Sequence, residues 1–538
     1  MVCTWLALTG LPGTKVSAGI WTPLQIKSFA EADDPLGGGE GEQHPRCFTR
    51  STSHPAVLYA GIDTGGTWRS ADHGVSWIKN RDDGLFAKGI QSIAVDPTDP
   101  LKVYIFAEIT TSNGSEMTGI LEPLEGIWRS TDGGDSWQLI QPIPNPVNSE
   151  LGNYRLNRSL LVPVSQPDGS TDWYAVFDRS GIWKLHDSNL PGSAPDVVLL
   201  AAEDTEINYT AAVYTDSLGT WLLYGNLNGL FRRQIFADSL GSAVNLNVPI
   251  TDLPSTNQNY FGGINSLYIN PVNPDEVWVT RRWDRPYRTT NACSENPVWN
   301  EIAAYKENGW PQVWSEIETA GISMGITPYH TQTVGGAIVP SRGYLSTDSH
   351  LFYLDWSQTN AAWRRYFSAD RYEADIVKRP GLLTYRKGPI GAHSGYAFNR
   401  TNVNDTAAYG VSTFWRTENG GVTSGSEKAW RQTGYGFTGF AVQNGLNGIT
   451  VDPDNPDIKW FPWNDVGIAG TTNGGVSFSA LGIIEVGSGT NEFDWADLTP
   501  LNETTRRVSI LRVKTNKEDT CRSGKSTTPS RLSGYFGT

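Results

Sequence analysis

Residues 58–77 read Leu58-Tyr59-Ala60-Gly61-Ile62-Asp63-Thr64-Gly65-Gly66-Thr67-Trp68-Arg69-Ser70-Ala71-Asp72-His73-Gly74-Val75-Ser76-Trp77, and this stretch decides the fold. An apolar run of strand length stops at an acidic, glycine-rich corner, a second short run follows, and a tight turn closes on tryptophan. The last eight residues fit Ser/Thr-x-Asp-x-Gly-x-x-Trp, and the pattern returns as Ser130-Thr131-Asp132-Gly133-Gly134-Asp135-Ser136-Trp137. Looser copies are Thr471-Thr472-Asn473-Gly474-Gly475-Val476-Ser477-Phe478 and Thr417-Glu418-Asn419-Gly420-Gly421, the latter reaching Trp430 after an insertion. In each copy the short acid or amide is expected to bond the amides of its own turn while glycine takes the positive φ and the aromatic residue wedges between repeats. Asp72, Asp132, Asn419 and Asn473 are therefore read as scaffold.

A second signature accompanies the first. Asp96-Pro97-Thr98-Asp99-Pro100 is echoed by Asn270-Pro271-Val272-Asn273-Pro274 and by Asp452-Pro453-Asp454-Asn455-Pro456, each flanked by apolar runs. Proline cannot continue a helix, so each is a hairpin turn. Joined, the two signatures predict a four-stranded unit with strands over 92–95, 103–108, 126–130 and 137–140. Turn starts at 70 and 130 are 60 residues apart, and those at 417 and 471 are 54 apart. That period belongs to propeller blades. Degenerate units at 173–185, 221–233, 277–290, 343–355 and 406–417 fill the interval. The expectation is an all-β protein, a β-propeller of about seven to eight four-stranded blades over 39–490. Residues 1–38 form an N-terminal segment in which Trp21-Thr22-Pro23-Leu24 supplies a closing outer strand. Residues 491–538 read as a poorly ordered tail, with eight Lys/Arg against two acids after 505 and little alternation. A single ring and a pair of facing propellers both bring residues 63 and 465 into one neighbourhood.

Composition agrees with short strands and aromatic cores: the 538 residues include 21 Trp and 57 Gly. A formal charge of −14 argues against a nucleic-acid partner, because phosphate backbones are bound by clustered cations. Neutral polysaccharides or oligosaccharides fit better. No stretch approaches eighteen consecutive apolar residues, so no membrane span is expected. Cys3, Cys47, Cys293 and Cys521 lack CxxC spacing, and no metal or other cofactor is expected. Sequons at Asn113, Asn157, Asn208, Asn399, Asn404 and Asn502 hint at secretion, although the N-terminus lacks a clear signal peptide, and a monomer is expected.

Propeller geometry sorts the acids. The turn between third and fourth strands points away from the face that carries the second-to-third-strand loops. On that open face fall Asp63, Glu108, Asp178, Asn226, Arg281, Arg282, His350 and Asp465. Most tryptophans are read as blade packing, with Trp68, Trp283, Trp356 and Trp463 as platforms for sugar rings and Arg281 and Arg282 as further substrate contacts.

The Ser/Thr-x-Asp-x-Gly-x-x-Trp turns resemble the Asp-box (BNR, sialidase-like) motif. Gly61-Ile62-Asp63-Thr64-Gly65-Gly66-Thr67-Trp68-Arg69, with Gly37-Gly38-Gly39 upstream, is similar to the opening blade of glycoside hydrolase family 74 xyloglucanases and endoglucanases. The resemblance covers about two fifths of the chain, which is shorter than that family's double propeller. It implies that Asp63 is the catalytic base and that the acid lies in a distant second corner, matched by Trp463-Asn464-Asp465-Val466-Gly467, where Val466 interrupts the glycine pair. It also implies inversion, with the two carboxylates about 6.5 to 9.5 Å apart.

Two other readings compete. A propeller polysaccharide lyase would take a proton α to a uronate carboxylate through His330, His350, His393 or Tyr396 while Arg416 neutralised that carboxylate. A non-catalytic platform, similar to sortilin-like receptors or photosystem assembly factors, would use the ring for docking alone.

Overall fold

The computed structural model describes residues 45–62, 65–108, 124–143, 161–177, 181–190, 192–202, 208–226, 228–249, 264–270, 273–281, 286–301, 323–327, 333–334, 337–338, 342–346, 350–355, 364–368, 376–377, 395–399, 402, 404–409, 414–420, 430–436, 450–452, 454–463, 467–477, 479–480, 493–500 and 506–512. The regular elements among them are all strands, arranged in small sheets that are antiparallel apart from one added outer strand. Blade 1 is a meander of Pro45–Arg50, Leu58–Ile62, Gly66–Ser70 and Ile78–Lys79. Blade 2 repeats it with Gly89–Val95, Val103–Glu108, Gly126–Ser130 and Gln138–Pro142. Blades 3 to 6 span 161–201, 208–245, 264–301 and 323–368. Blade 7 contains Gly395–Phe398, Thr406–Tyr409, Phe414–Thr417 and Trp430–Gln432, with Ile376–Val377 added parallel to its outer edge.

Apolar residues on both faces of a blade need a neighbour on each side, and a ring supplies one without leaving a bare end. First strands touch in succession from blade 1 to blade 7, and Gly395–Phe398 of blade 7 lies against Pro45–Arg50 of blade 1, so the ring closes after seven sheets. The core is divided accordingly into clusters lying between blades. Cys47 and Tyr59 of blade 1 pack with Ile90, Ile105 and Trp137 of blade 2, while Leu58, Trp68 and Trp77 of blade 1 pack with Ala407, Tyr409 and Phe414 of blade 7.

The closing junction is built like an ordinary one. Between blades 1 and 2, the Trp137 amide donates to the Asp83 carbonyl at 2.8 Å; between blades 7 and 1, the Trp77 amide donates to the Tyr435 carbonyl at 2.6 Å. The Trp77 ring then stacks on Phe414 with centroids 4.0 Å apart.

The turns on the outer side explain the repeated sequence pattern. Ser70 Oγ donates to Asp72 Oδ1 at 2.8 Å and accepts the Gly74 amide at 2.9 Å, while the Ser76 amide donates to Asp72 Oδ1 at 2.8 Å. Asp132 makes the same set with Ser130 and Ser136, at 2.7 and 2.9 Å. Burial works to raise the Asp132 carboxyl, but the bonds from Ser136 and Ser130 outweigh it and hold the group below the usual carboxylate range. Asn473 accepts from Thr471 Oγ1 at 2.9 Å and from the Ser477 amide at 3.0 Å, and Asn419 accepts from Thr417 Oγ1 at 2.9 Å. A further turn of this kind occurs in blade 5, where Asn291 accepts from Thr289 Oγ1 and from the Val298 amide, each at 2.8 Å.

An eighth sheet of Thr450–Val451, Lys459–Trp463, Gly467–Thr471 and Ser479–Ala480 follows the ring. It lies against Phe493–Pro500, which pairs with Arg506–Arg512. The expected tail over 491–538 thus includes an antiparallel strand pair. The proposed closing strand at Trp21 lies outside the described residues; among the described residues the seam is made by blades 7 and 1 packing face to face.

Candidate active site

The corner of blade 1 comes from the strand register. Ile62 ends the second strand and pairs with Gly66, which opens the third. Asp63 belongs to the connection between them, and Asp63 and Thr64 lie outside the described residues. Gly66 has φ 71°, a conformation that strongly favours glycine, and a methyl group there would overlap the Asp82 carboxylate. Its amide donates to the Lys88 carbonyl at 2.9 Å.

Asp82 braces this corner from the loop that joins blade 1 to blade 2. Its side chain is fully buried. Oδ2 accepts the Thr67 amide at 3.1 Å, and Oδ1 accepts Thr67 Oγ1 at 2.6 Å and the Trp137 indole N–H at 3.2 Å. Lys79 Nζ pairs with the same carboxylate, and Lys88 Nζ stands 3.6 Å from Oδ2. Sequence reading did not single out Asp82. The usable signal was an acidic pair before Gly84 in a blade-to-blade loop.

The next blade repeats the corner. Ala107 pairs with Gly126 as Ile62 pairs with Gly66, so Glu108 occupies in blade 2 the place that Asp63 occupies in blade 1. Glu108 is buried, accepts from Gln91 Nε2 and lies 3.7 Å from Arg46 Nη1. Arg46 and Gln91 each sit at a register break in the first strand of their blade, and such breaks recur at 208/210 and 264/266. Bulges re-aim side chains, and here they occur at the open-face end of the innermost strand.

In the eighth sheet Trp463 ends the second strand and pairs with Gly467. Asp465, outside the described residues, falls in that connection. The two candidate carboxylates therefore share one topological position, in the first sheet of the ring and in the sheet that follows it.

The other predicted site residues divide as follows. Trp68 is not an exposed platform: it is 3% exposed within the core between blades 1 and 7, where its position in a fully flanked strand leaves no free ring face. Arg281 ends a strand of blade 5, while Arg282, Trp283 and Trp356 lie outside the described residues, as does the side chain of Trp463. Of the lyase set, His330 and His393 lie outside, and His350 opens the third strand of blade 6. Tyr396 and Arg416 do not face a shared pocket as a base and a clamp. Tyr396 stacks on Tyr344 at 5.6 Å within the core of blades 6 and 7, and Arg416 Nε bonds Asp405 Oδ1 at 3.0 Å. Among the described residues no group of His, Cys, Asp or Glu is arranged to hold a metal, and no helix is long and apolar enough to cross a membrane. The sequon residue Asn399 is 4% exposed and bonds Asp405, so it has no room for a glycan.

No family model matches this chain. Its sequence is 31% identical over 346 residues to a xyloglucanase of Acetivibrio thermocellus, covering 51% of this chain and 39% of that protein. It is 28% identical over 183 residues to a xyloglucanase of a Paenibacillus species, covering 32% of this chain and 17% of that one. The chain thus spans well under half the length of these relatives. In fold it matches an ancestral GH74 enzyme with a TM-score of 0.56 at 13% identity, over 93% of this chain and 60% of the other. It matches the GH74 xyloglucanase of Xanthomonas campestris with a TM-score of 0.51 at 13% identity, over 87% and 70%. By sequence this β-propeller chain is similar to xyloglucanases, and in fold it is similar to GH74 enzymes.

Proposed function

We propose that the protein hydrolyses a β-glucan of the xyloglucan type with Asp63 and Asp465 as its two carboxyl groups. The observation that carries this reading is their common position, in the second-to-third-strand connections of two sheets, in a chain whose sequence relatives are xyloglucanases. Asp465, protonated, donates its proton to the glycosidic oxygen as the bond to the anomeric carbon breaks. Asp63, ionised, takes a proton from the water that attacks that carbon from the opposite side. Configuration inverts, and a carboxyl separation of about 6.5 to 9.5 Å leaves room for the water. The Ser/Thr-x-Asp turns are Asp-boxes in this reading and serve as scaffold. Trp283, Trp356 and Trp463 are the platforms left for sugar stacking, and the protein acts outside the cell as a monomer.

Release of reducing ends from xyloglucan tests the reading. Asp63→Ala and Asp465→Ala should each lower kcat/KM by roughly 10²- to 10⁴-fold with an unchanged melting curve, the usual worth of a positioned acid or base. Wild-type turnover in Asp63→Ala would discard the assignment. Unsaturated products absorbing in the near ultraviolet from a uronate polymer would point instead to elimination.

A further inference from the structure

The connection from blade 1 to blade 2 ends beside the Gly66 corner, where the Gly66 amide donates to the Lys88 carbonyl at 2.9 Å. Its backbone is fixed along its length. Asp82 is held under Thr67, the Asp83 amide donates to the Asp135 carbonyl at 2.9 Å, and the Leu85 amide donates to the Asp82 carbonyl at 3.1 Å. Gly84 has φ 83°, and a methyl group there would stand 2.8 Å from the Trp137 carbonyl oxygen, so the chain passes tightly against blade 2. Leu85 and Ala87 are both drawn into the core between the two blades. With its neighbours committed inward, Phe86 faces outward and is 64% exposed. Among the residues whose side chains are described, the exposed aromatic ones are Phe86 and Phe236. Phe236 belongs to the turn between the third and fourth strands of blade 4, on the opposite face of the ring. Trp68, read from sequence as a sugar platform at this corner, is buried, and Phe86 stands exposed beside the same corner.

We infer that Phe86 is a binding platform for a pyranose ring of a β-glucan, on the open face beside the Gly66 corner. This rests on the reading of the substrate as a xyloglucan-type glucan. The C–H face of a β-linked pyranose is apolar and about as wide as a phenyl ring, while its hydroxyls lie around the rim and need polar partners. The loop offers that combination. One exposed ring stands on a stretch whose other exposed side chains are Arg81 and Asp83, paired with each other, and the partly exposed Lys88 ammonium follows two residues on. A protein partner would need an apolar area many residues wide, roughly 800 Å² on each side, and a single ring among charged groups does not supply it. A stiff ring on a loop that is already ordered loses little freedom when a ligand settles on it, so the contact is pre-organised.

Migration through native gels with and without xyloglucan gives a dissociation constant for the wild-type protein and its variants, and release of reducing ends is measured beside it. Phe86→Ala should bind xyloglucan roughly 3- to 15-fold more weakly with an unchanged melting curve, the worth of covering one face of a phenyl ring. Phe86→Trp should bind at least as tightly as the wild type. Phe86→Leu, which keeps an apolar side chain without a flat face, should bind as the alanine variant does and takes its place should that variant fail to fold. If the wild-type protein is neither retarded by xyloglucan nor able to cleave it, the substrate assignment fails and this inference falls with it. If the wild-type protein cleaves xyloglucan and folded Phe86→Ala or Phe86→Leu migrates through it as the wild type does, the inference alone is overturned. A Phe86→Ala protein that sediments as a smaller species than the wild type while binding xyloglucan equally would assign the ring to a contact between copies of the chain, and would overturn the inference in the same way.

Discussion

At the scale of single residues, the corner of blade 1 combines a position that sequence reveals with one that it conceals. The Asp63-Thr64-Gly65-Gly66 run is legible because an acid followed by two glycines interrupts an apolar pattern of strand length. The brace beneath it is not, because Asp82 becomes special only when the fold turns its side chain back under Thr67. Trp68 was misread for a related reason: an aromatic beside a polar corner has the same sequence signature whether it faces solvent or the neighbouring blade, and here it faces the blade. Gly66 allows the brace to be tested. Gly66→Ala would put an L-residue at φ 71°, at a cost of about 1–2 kcal/mol, and force its methyl against Asp82, adding about 1–3 kcal/mol of overpacking. Urea unfolding should show a loss of that combined size, and a loss below about 1 kcal/mol would mean that the corner relaxes freely.

At the scale of turns and blades, legibility follows local chemistry. The turns at Asp72 and Asp132 were readable because all of their bonding partners lie within eight residues and glycine stands at the tight position. The turn at Asn291 forms corresponding bonds, but Cys293 stands where the pattern has glycine and extra residues precede Trp299, so the pattern dissolves although the geometry survives. The hairpin from Asn399 to Asp405 likewise bonds as the Asp96 to Lys102 turn does without any proline to announce it. What no local pattern could show is that Asp405 also fastens blade 7 to blade 1. Its buried carboxylate bonds Arg50 at 3.2 Å, Arg416 at 3.0 Å and His73 at 2.8 Å, and Arg50 also donates to the Ala397 carbonyl at 3.3 Å. Burial works to raise this carboxyl, but Arg50, Asn399 and Arg416 outweigh it and hold the group below its ordinary value. A carboxyl lowered on folding adds stability above its unfolded value near about 3.9 and loses that contribution as pH falls through the folded value. The seam should therefore weaken in acid. Asp405→Asn should cost about 3–5 kcal/mol near neutrality, because it leaves Arg50 buried without its counter-charge, and should flatten the acid side of the stability curve. Urea titrations between about pH 3 and 7 measure both effects, and an unchanged acid slope in the variant would remove Asp405 from the seam's pH response.

At the scale of the whole molecule, repeat spacing announced a propeller but could not say where the ring ends, because the eighth sheet carries the same two turn signatures as blade 2 of the ring. Closure is decided by which faces meet. The backbone link from Trp77 to Tyr435 and the stacking of Trp77 on Phe414 complete the ring by residue 435, while among the described residues the eighth sheet lies against Phe493–Pro500. Folding and the proposed chemistry then depend on different parts of the chain. A chain ended after residue 449 keeps every described contact of the ring and loses Asp465. Tolerance of truncation depends on the contacts removed, so this shortened chain should melt in a single cooperative transition and retain its strand content while releasing no reducing ends from xyloglucan. Calorimetry and circular dichroism read the first expectation, and the sugar assay reads the second. A shortened chain that fails to fold would show that seven sheets do not suffice without the eighth. A shortened chain that folds and still hydrolyses xyloglucan would take the role of acid away from Asp465 and return it to a residue of the ring, with Glu108, at the matching corner of the second blade, the first to be replaced.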